Sequence, residues 1–265
     1  MTSALITATE LKNILSQPSP PHVKILDASY NLPPSSMGIP GARDFNIDDV
    51  ADPVAPYAHT VPTEEIFADK VRALGIGNDD LVIVYDRGGI AMAASRAWWM
   101  FRLFGHDKVK ILNGGLPAWT KAGYTAGEKA ADAPVSAFFT TKFRPELLKG
   151  VEQIASNLLR KEFTVLDARD SVRFGNGHIP DSLSVPYAGL VDGGALKPSA
   201  ELEKIFKASS ADLHKKIACS CGSGVTACVV ALALHELGHT EVAVYDGSWT
   251  EWGASTILPK MTGTA

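Results

Sequence analysis

Cysteine is scarce in this chain: three among 265 residues, Cys219, Cys221 and Cys228, crowded into one short stretch. Three neighbouring thiols build no disulfide framework, and an odd count suits a reducing compartment in which at least one thiol works chemically. No histidine is spaced with them for zinc, so a metal site is not expected. Basic charge is not in surplus either. Lys and Arg number 25 against 29 Asp and Glu, a net charge of −4, and no basic run or aromatic-interleaved patch breaks that balance, so nucleic acid and anionic membranes find no electrostatic footprint. No apolar stretch approaches the roughly 20 residues that span a bilayer. The opening Met1-Thr2-Ser3-Ala4-Leu5-Ile6-Thr7 lacks the basic segment and apolar core of a secretory signal. The expectation is a cytoplasmic protein with no nucleic-acid or membrane partner.

What is present is a repeat. At 46% apolar and 265 residues the chain can bury one large core or two of about 130 residues each, and internal similarity chooses the second. Ile25-Leu26-Asp27-Ala28 recurs 140 residues later as Val165-Leu166-Asp167-Ala168, with Ile39-Pro40 and Ile179-Pro180 at the same offset. Leu81 to Tyr85 corresponds to the run leading into Cys221, and Gly114 to Trp119 corresponds to Gly247 to Trp252. In each copy short β-branched runs alternate with helical stretches, the pattern of an α/β unit whose parallel sheet is covered by helices on both faces. In the first copy the pattern predicts helices over 7–16, near 63–74, over 91–104 and near 116–122, and strands at 23–26, 81–85 and 109–112. The second copy repeats this order from Val151. Residues 124–145, rich in Ala, Thr and Lys, read as a surface linker between a first domain, 1–123, and a second, 146–265.

Chemistry concentrates in Cys221-Gly222-Ser223-Gly224-Val225-Thr226-Ala227, between an apolar run over 216–220 and a helical stretch over 226–237. A strand that ends in a cysteine, turns through two glycines and starts a helix presents the thiol to backbone N–H groups and to the positive end of the helix dipole. Both favour the thiolate, a nucleophile. A cysteine phosphatase builds a similar loop but clamps its phosphate with an arginine six positions on, where this chain has Ala227. The neutral loop suits a sulfur atom instead. A sulfane sulfur taken up by Cys221 would lie as Cys–S–SH among the loop amides of Gly222, Gly224, Val225 and Thr226. The matching position in the first copy is Asp86, and an aspartate carries no sulfane sulfur, so only the second copy can be catalytic by this route. Cys219 reads as core or as a resolving thiol, and Cys228 as packing.

Cys-Gly-Ser-Gly-Val-Thr, taken with Gly38-Ile39-Pro40-Gly41-Ala42, Ser95-Arg96-Ala97-Trp98-Trp99-Met100, Gly177-His178-Ile179-Pro180 and Tyr245-Asp246-Gly247-Ser248-Trp249-Thr250-Glu251-Trp252, resembles the rhodanese family and its 3-mercaptopyruvate sulfurtransferase branch. Thiosulfate-using relatives carry basic residues where this loop has Gly222 and Ser223. The resemblance implies an α/β fold of two tandem rhodanese-like domains and a sulfurtransferase that moves a sulfane sulfur from 3-mercaptopyruvate to a thiol or cyanide, releasing pyruvate. It implies a proton relay similar to a serine-protease triad, in which Ser223 works with His59 and Asp48. It further implies that Arg173, before Phe174, grips the donor carboxylate. An insertion that brings many relatives a second arginine is missing here, and Arg87, Arg96 or Arg102 are candidates to replace it. Read from the residues alone, Ser223 is a loop residue or a donor to substrate, His59 a surface loop residue, Arg173 a surface charge paired with Asp170, and Trp249 and Trp252 either cleft walls or core. No metal or organic cofactor is needed, since the protein holds the carried group covalently. The expected partners are a small-molecule sulfur donor and a thiol acceptor, either a small thiol or a thioredoxin-like protein. Two other functions stay open: a thiosulfate:cyanide sulfurtransferase, and a non-catalytic rhodanese-type module that binds a partner or carries persulfide.

Overall fold

Two five-stranded parallel sheets of one topology carry the repeat. The computed structural model describes residues 3–18, 22–89, 92–130 and 137–263. The chain divides into a first unit, Met1–Pro53 with Val61–Phe143 and Gly193–Leu196, and a second, Val54–Thr60 with Arg144–Asp192 and Lys197–Ala265. Each unit therefore takes in a short segment from within the other's stretch of sequence.

In the first unit β1 (Leu5–Ile6), β2 (Val23–Asp27), β3 (Arg43–Asp44), β4 (Leu81–Tyr85) and β5 (Val109–Leu112) lie in the order β1-β5-β4-β2-β3. In the second, β6 (Leu148–Lys149), β7 (Phe163–Asp167), β8 (Leu183–Ser184), β9 (Lys216–Ser220) and β10 (Ala243–Tyr245) lie in the order β6-β10-β9-β7-β8. Register is equivalent in the two. Asp27 pairs with Tyr85 and Asp167 with Ser220, so in each copy the strand that feeds the loop ends level with a buried aspartate. Central parallel strands are covered on both faces, which is why β4 reads Leu-Val-Ile-Val-Tyr without alternation.

Helices α1 (Ala8–Leu15), α2 (Glu64–Ala73), α3 (Met92–Leu103) and α4 (Gly115–Lys121) belong to the first unit. α5 (Val151–Arg160), α6 (Ser171–Gly175), α7 (Ser199–Ala208), α8 (Ala227–Glu236) and α9 (Ser248–Ala254) belong to the second. The predicted elements are present with ends moved by one or two residues. Thr7 and Thr63 sit just outside their helices as caps: Thr7 Oγ1 accepts the Glu10 N–H at 3.2 Å and Thr63 Oγ1 the Ile66 N–H at 3.3 Å. Ala91, expected to open α3, lies outside the described residues.

α8 has no polar face. Every residue from Ala227 to Leu234 is buried, as an all-apolar helix requires, and this makes the helix that starts at the Cys221 loop the most enclosed in its unit. In the first unit the same layer is aromatic. Phe67 stacks on Phe104 with centroids 4.2 Å apart and meets Phe101 and Phe139 edge-on at 5.4 and 6.1 Å. Part of the stretch over 124–145 is built into that unit. Gly127–Glu128 pairs antiparallel with Met37–Gly38, Phe139 is buried, and Arg72 Nη2 donates to its carbonyl at 2.8 Å.

Candidate active site

β9 ends at Ser220, the loop runs over 221–226 and α8 begins at Ala227. Cys221 is only 1% exposed. The loop is shaped by its carbonyls being tied back. Trp249 N–H donates to Cys221 C=O at 3.0 Å, and Thr250 donates to Gly222 C=O through its N–H at 2.9 Å and its Oγ1 at 2.7 Å. Cys228, on the first turn of α8, donates its thiol to Gly224 C=O at 3.3 Å and its N–H to Val225 C=O at 3.1 Å. The N–H groups of Gly222, Ser223, Val225 and Thr226, by contrast, have no acceptor among the described residues. Carbonyls engaged and amides left over make an anion-holding nest at the start of a helix. Gly224 makes the turn possible, with φ 75° in the left-handed region.

Ser248 is a residue that sequence reading passed over. It is fully buried, accepts the Cys221 N–H on Oγ at 3.0 Å and donates to Tyr245 C=O at 2.7 Å, locking the residue that bears the thiol to the end of β10. Its φ of 49° is unusual for a residue with a side chain. The signal was present in the repeat, where the aligned position in the first copy is Gly115, also left-handed at φ 58°.

The remaining candidates are distributed as follows. Ser223 is half-buried and its hydroxyl makes no hydrogen bond among the described residues. His59 lies in the segment Val54–Thr60 and so in the same unit as Cys221; it is buried rather than on the surface, with φ 63°. Asp48 belongs to the first unit and is exposed, its N–H on Asn46 Oδ1 at 2.9 Å. Arg173 is 59% exposed and pairs through Nε with the Asp170 carboxylate, which also accepts the Arg173 N–H at 2.8 Å. That backbone donor, then the guanidinium, holds the Asp170 carboxyl below its ordinary value.

Arg169 is buried on Asp167, donates to Gly177 C=O at 2.8 Å and lies over the Trp249 ring at 4.4 Å. It thus supports the residue that holds the Cys221 carbonyl. Trp252 is core, and His178 is buried in its turn with Nδ1 3.0 Å from Phe174 O. The arginines named as replacements for the missing one are engaged inside the first unit. Arg87 holds Asp27 at 3.2 Å and Pro33 C=O at 2.7 Å, Arg96 is buried over Trp99, and Arg102 lies 3.7 Å from Asp107. Cys219 is fully buried; burial pushes its thiol well up, with Cys228 and Cys221 adding to the effect, which makes it a poor resolving thiolate.

Among the described residues no group of His, Cys, Asp and Glu could hold a metal, and no helix is long and apolar enough to cross a membrane. The rhodanese-like domain family matches residues 7–122 and again 151–255. Thiosulfate/3-mercaptopyruvate sulfurtransferase 1, mitochondrial, of Arabidopsis thaliana is 40% identical over 90% of this chain and 74% of its own length. Thiosulfate sulfurtransferase of Gallus gallus is 40% identical over 87% of this chain and 86% of its own. The crystal structure of SseA from Escherichia coli, described as a 3-mercaptopyruvate sulfotransferase of rhodanese fold, superimposes with a TM-score of 0.84 at 36% identity, covering 94% of this chain and 99% of that one.

Proposed function

This chain belongs to the rhodanese family of sulfurtransferases, and from that premise we propose that it moves a sulfane sulfur from 3-mercaptopyruvate to a thiol or cyanide through a persulfide on Cys221. The observation that carries this reading is the loop itself: four amides without acceptors among the described residues, around a buried thiol, and no fixed cation among Gly222, Ser223 and Gly224. Cys221 attacks the donor sulfur as a thiolate. The S–S bond forms as the C–S bond breaks, its electron pair leaves on carbon as the pyruvate enolate, and the loop amides of Gly222, Ser223, Val225 and Thr226 hold the outer sulfur, with Gly224 making their turn. Ser223, backed by His59 and Asp48, delivers the proton that converts enolate to pyruvate. Arg173 holds the donor carboxylate, exchanging Asp170 for it. An acceptor thiolate then takes the outer sulfur and Cys221 departs as thiolate, so no redox partner or cofactor enters.

In this reading residues 146–265 form the catalytic domain, 1–123 the non-catalytic one and 124–145 the connection. The acceptor is a small thiol or a thioredoxin-like protein, and the working compartment is the cytoplasm, where three free, buried cysteines stay reduced. The names of the Arabidopsis and chicken relatives include thiosulfate, which keeps that donor as the second reading.

The test is pyruvate release from 3-mercaptopyruvate with dithiothreitol as acceptor, comparing wild type, Cys221→Ser and Arg173→Ala. Turnover by wild type alone, with Arg173→Ala recovering at high donor concentration, is expected. A wild type inert with mercaptopyruvate but active with thiosulfate overturns the donor and keeps Cys221.

A further inference from the structure

We propose that a groove in the second unit docks the protein that accepts the sulfur, by receiving a basic side chain flanked by apolar ones; this rests on the persulfide reading above. The groove measures about 480 Å³, and three of its lining residues, Val151, Ala155 and Leu258, pack against the core of the unit. Tyr57, Glu152 and Glu251 also line it. Ile257 borders it at 90% exposure, an apolar side chain that folding leaves in water.

Charge decides the occupant. The lining holds two carboxylates, the exposed Glu152 and Glu251, which lies beside the buried Tyr245 hydroxyl, and no basic residue; Lys260, close to Ser255, is held on the Ser255 carbonyl at 2.7 Å. An apolar lining that carries carboxylates and no cation matches a Lys or Arg whose stem lies on the apolar residues while its head meets the exposed Glu152. Position links the groove to the chemistry. α9 holds the loop carbonyls of Cys221 and Gly222 with Trp249 and Thr250, and its Glu251 and Ala254, with Ser255 just past its end, line the groove. Thr250 and Ser255 are about 7.5 Å apart along the helix axis. Tyr57 comes from the same short segment as His59. A thiol at 1% exposure that must pass sulfur to a protein gains from a second contact that brings the partner's thiol to it.

The probe is the acetylated, amidated peptide Leu-Arg-Leu-Gly-Gly-Cys as acceptor, against its twin with Glu for Arg and against free cysteine. A spacer of three residues reaches about 10 Å. Wild type is expected to favour the basic peptide in kcat/KM by about tenfold, through KM and with a preference that fades in salt. The double variant Glu152→Gln, Ile257→Ser, both sites on the surface, is expected to lose the preference while its turnover with free cysteine is unchanged. Equal use of the two peptides by wild type, or a preference that survives in the variant, overturns the proposal. If wild type uses no thiol at all, the persulfide reading has failed instead. Docking is then decided by fluorescence anisotropy of the labelled peptide with Ser for Cys: binding lost in the variant supports it, and equal binding overturns it.

Discussion

The two strand–loop–helix copies make the same turn and end with different capacities. Asp86 and Cys221 each follow a buried strand and each offer a carbonyl to the second residue of a crossing helix, Leu116 N–H at 2.9 Å and Trp249 N–H at 3.0 Å. Each leads to a left-handed glycine, Gly89 at φ 67° and Gly224 at φ 75°. They part at two places. In the first copy a Cβ on Gly115 would lie 2.3 Å from the Asp86 carbonyl oxygen, whereas the second copy carries Ser248 there and uses its hydroxyl to hold the Cys221 N–H. The first loop is also covered: a Cβ on Gly194 would come within 1.4 Å of Gly89 O, and Leu196 N–H donates to Asn113 Oδ1 at 2.7 Å. Gly222 in the second loop faces open space. The turn is thus common property; a thiol, an acceptor for its amide and room for a donor are what the second copy adds.

The largest effect expected is on transfer itself. Cys221→Ser should lower turnover about a thousandfold or more, and Asp86→Cys in that background should restore nothing, because the first loop lacks both room and a counterpart of Ser248. Mass spectrometry after donor treatment decides this, and a sulfur retained on the thiol introduced in the first loop would break the comparison.

Next comes Ser248→Gly, which makes the second copy resemble the first. Losing a buried hydrogen bond costs about 1–2 kcal/mol, so kcat should fall roughly five- to thirtyfold with donor KM little changed. Ser248→Ala should lose as much activity and melt lower than the glycine variant, since it keeps a Cβ in left-handed backbone at a cost of about 1 kcal/mol. Equal activity of all three proteins in pyruvate release would remove Ser248 from the mechanism.

Donor choice should respond to charge on the loop. Gly222→Arg with Ser223→Lys fits sterically at position 222 and places cations beside Cys221. The ratio of thiosulfate to mercaptopyruvate turnover should rise about tenfold, a gain of roughly 1.4 kcal/mol for the dianion. An unchanged ratio would locate donor choice elsewhere.

The smallest effect sharpens the comparison through pH. His106 is buried among Phe101 and Phe139 while the aligned His239 is half-buried. Burial lowers the His106 proton affinity from the ordinary value of 6.5. The unfolded chain therefore takes up a proton that the folded one resists, so this contribution to stability is complete above the unfolded value and declines as pH drops below about 6.5. Urea midpoints measured from pH 7.5 down to 5 should fall in wild type and fall less in His106→Gln. Parallel slopes would assign the pH dependence to another group.

Much of this was legible in the residues. Strand β4 is an apolar run rich in β-branched residues and β9 is largely apolar, Thr7 with Glu10 is a written helix start, and two aligned copies of one pattern force two sheets. Cys221 stood out because glycines and a helix start follow it. Ser248 did not, since one serine before a tryptophan has no local signature; its alignment with Gly115 in the repeat hints at a special backbone, and its hydrogen bond from a residue 27 positions away gives it a role. Arg173 shows the opposite case, where the spacing to Asp170 already contained the exposed pair that the fold displays.

Local patterns thus determined the number of domains, their α/β class and the place of the proposed nucleophile between a strand and a helix, because propensity, capping and periodicity act over a few residues. Tertiary structure decided the rest. Which loop amides remain without acceptors, which copy has room above its loop, and where Arg87, Arg96 and Arg102 spend their charge all depend on partners distant in sequence, and only packing brings these together.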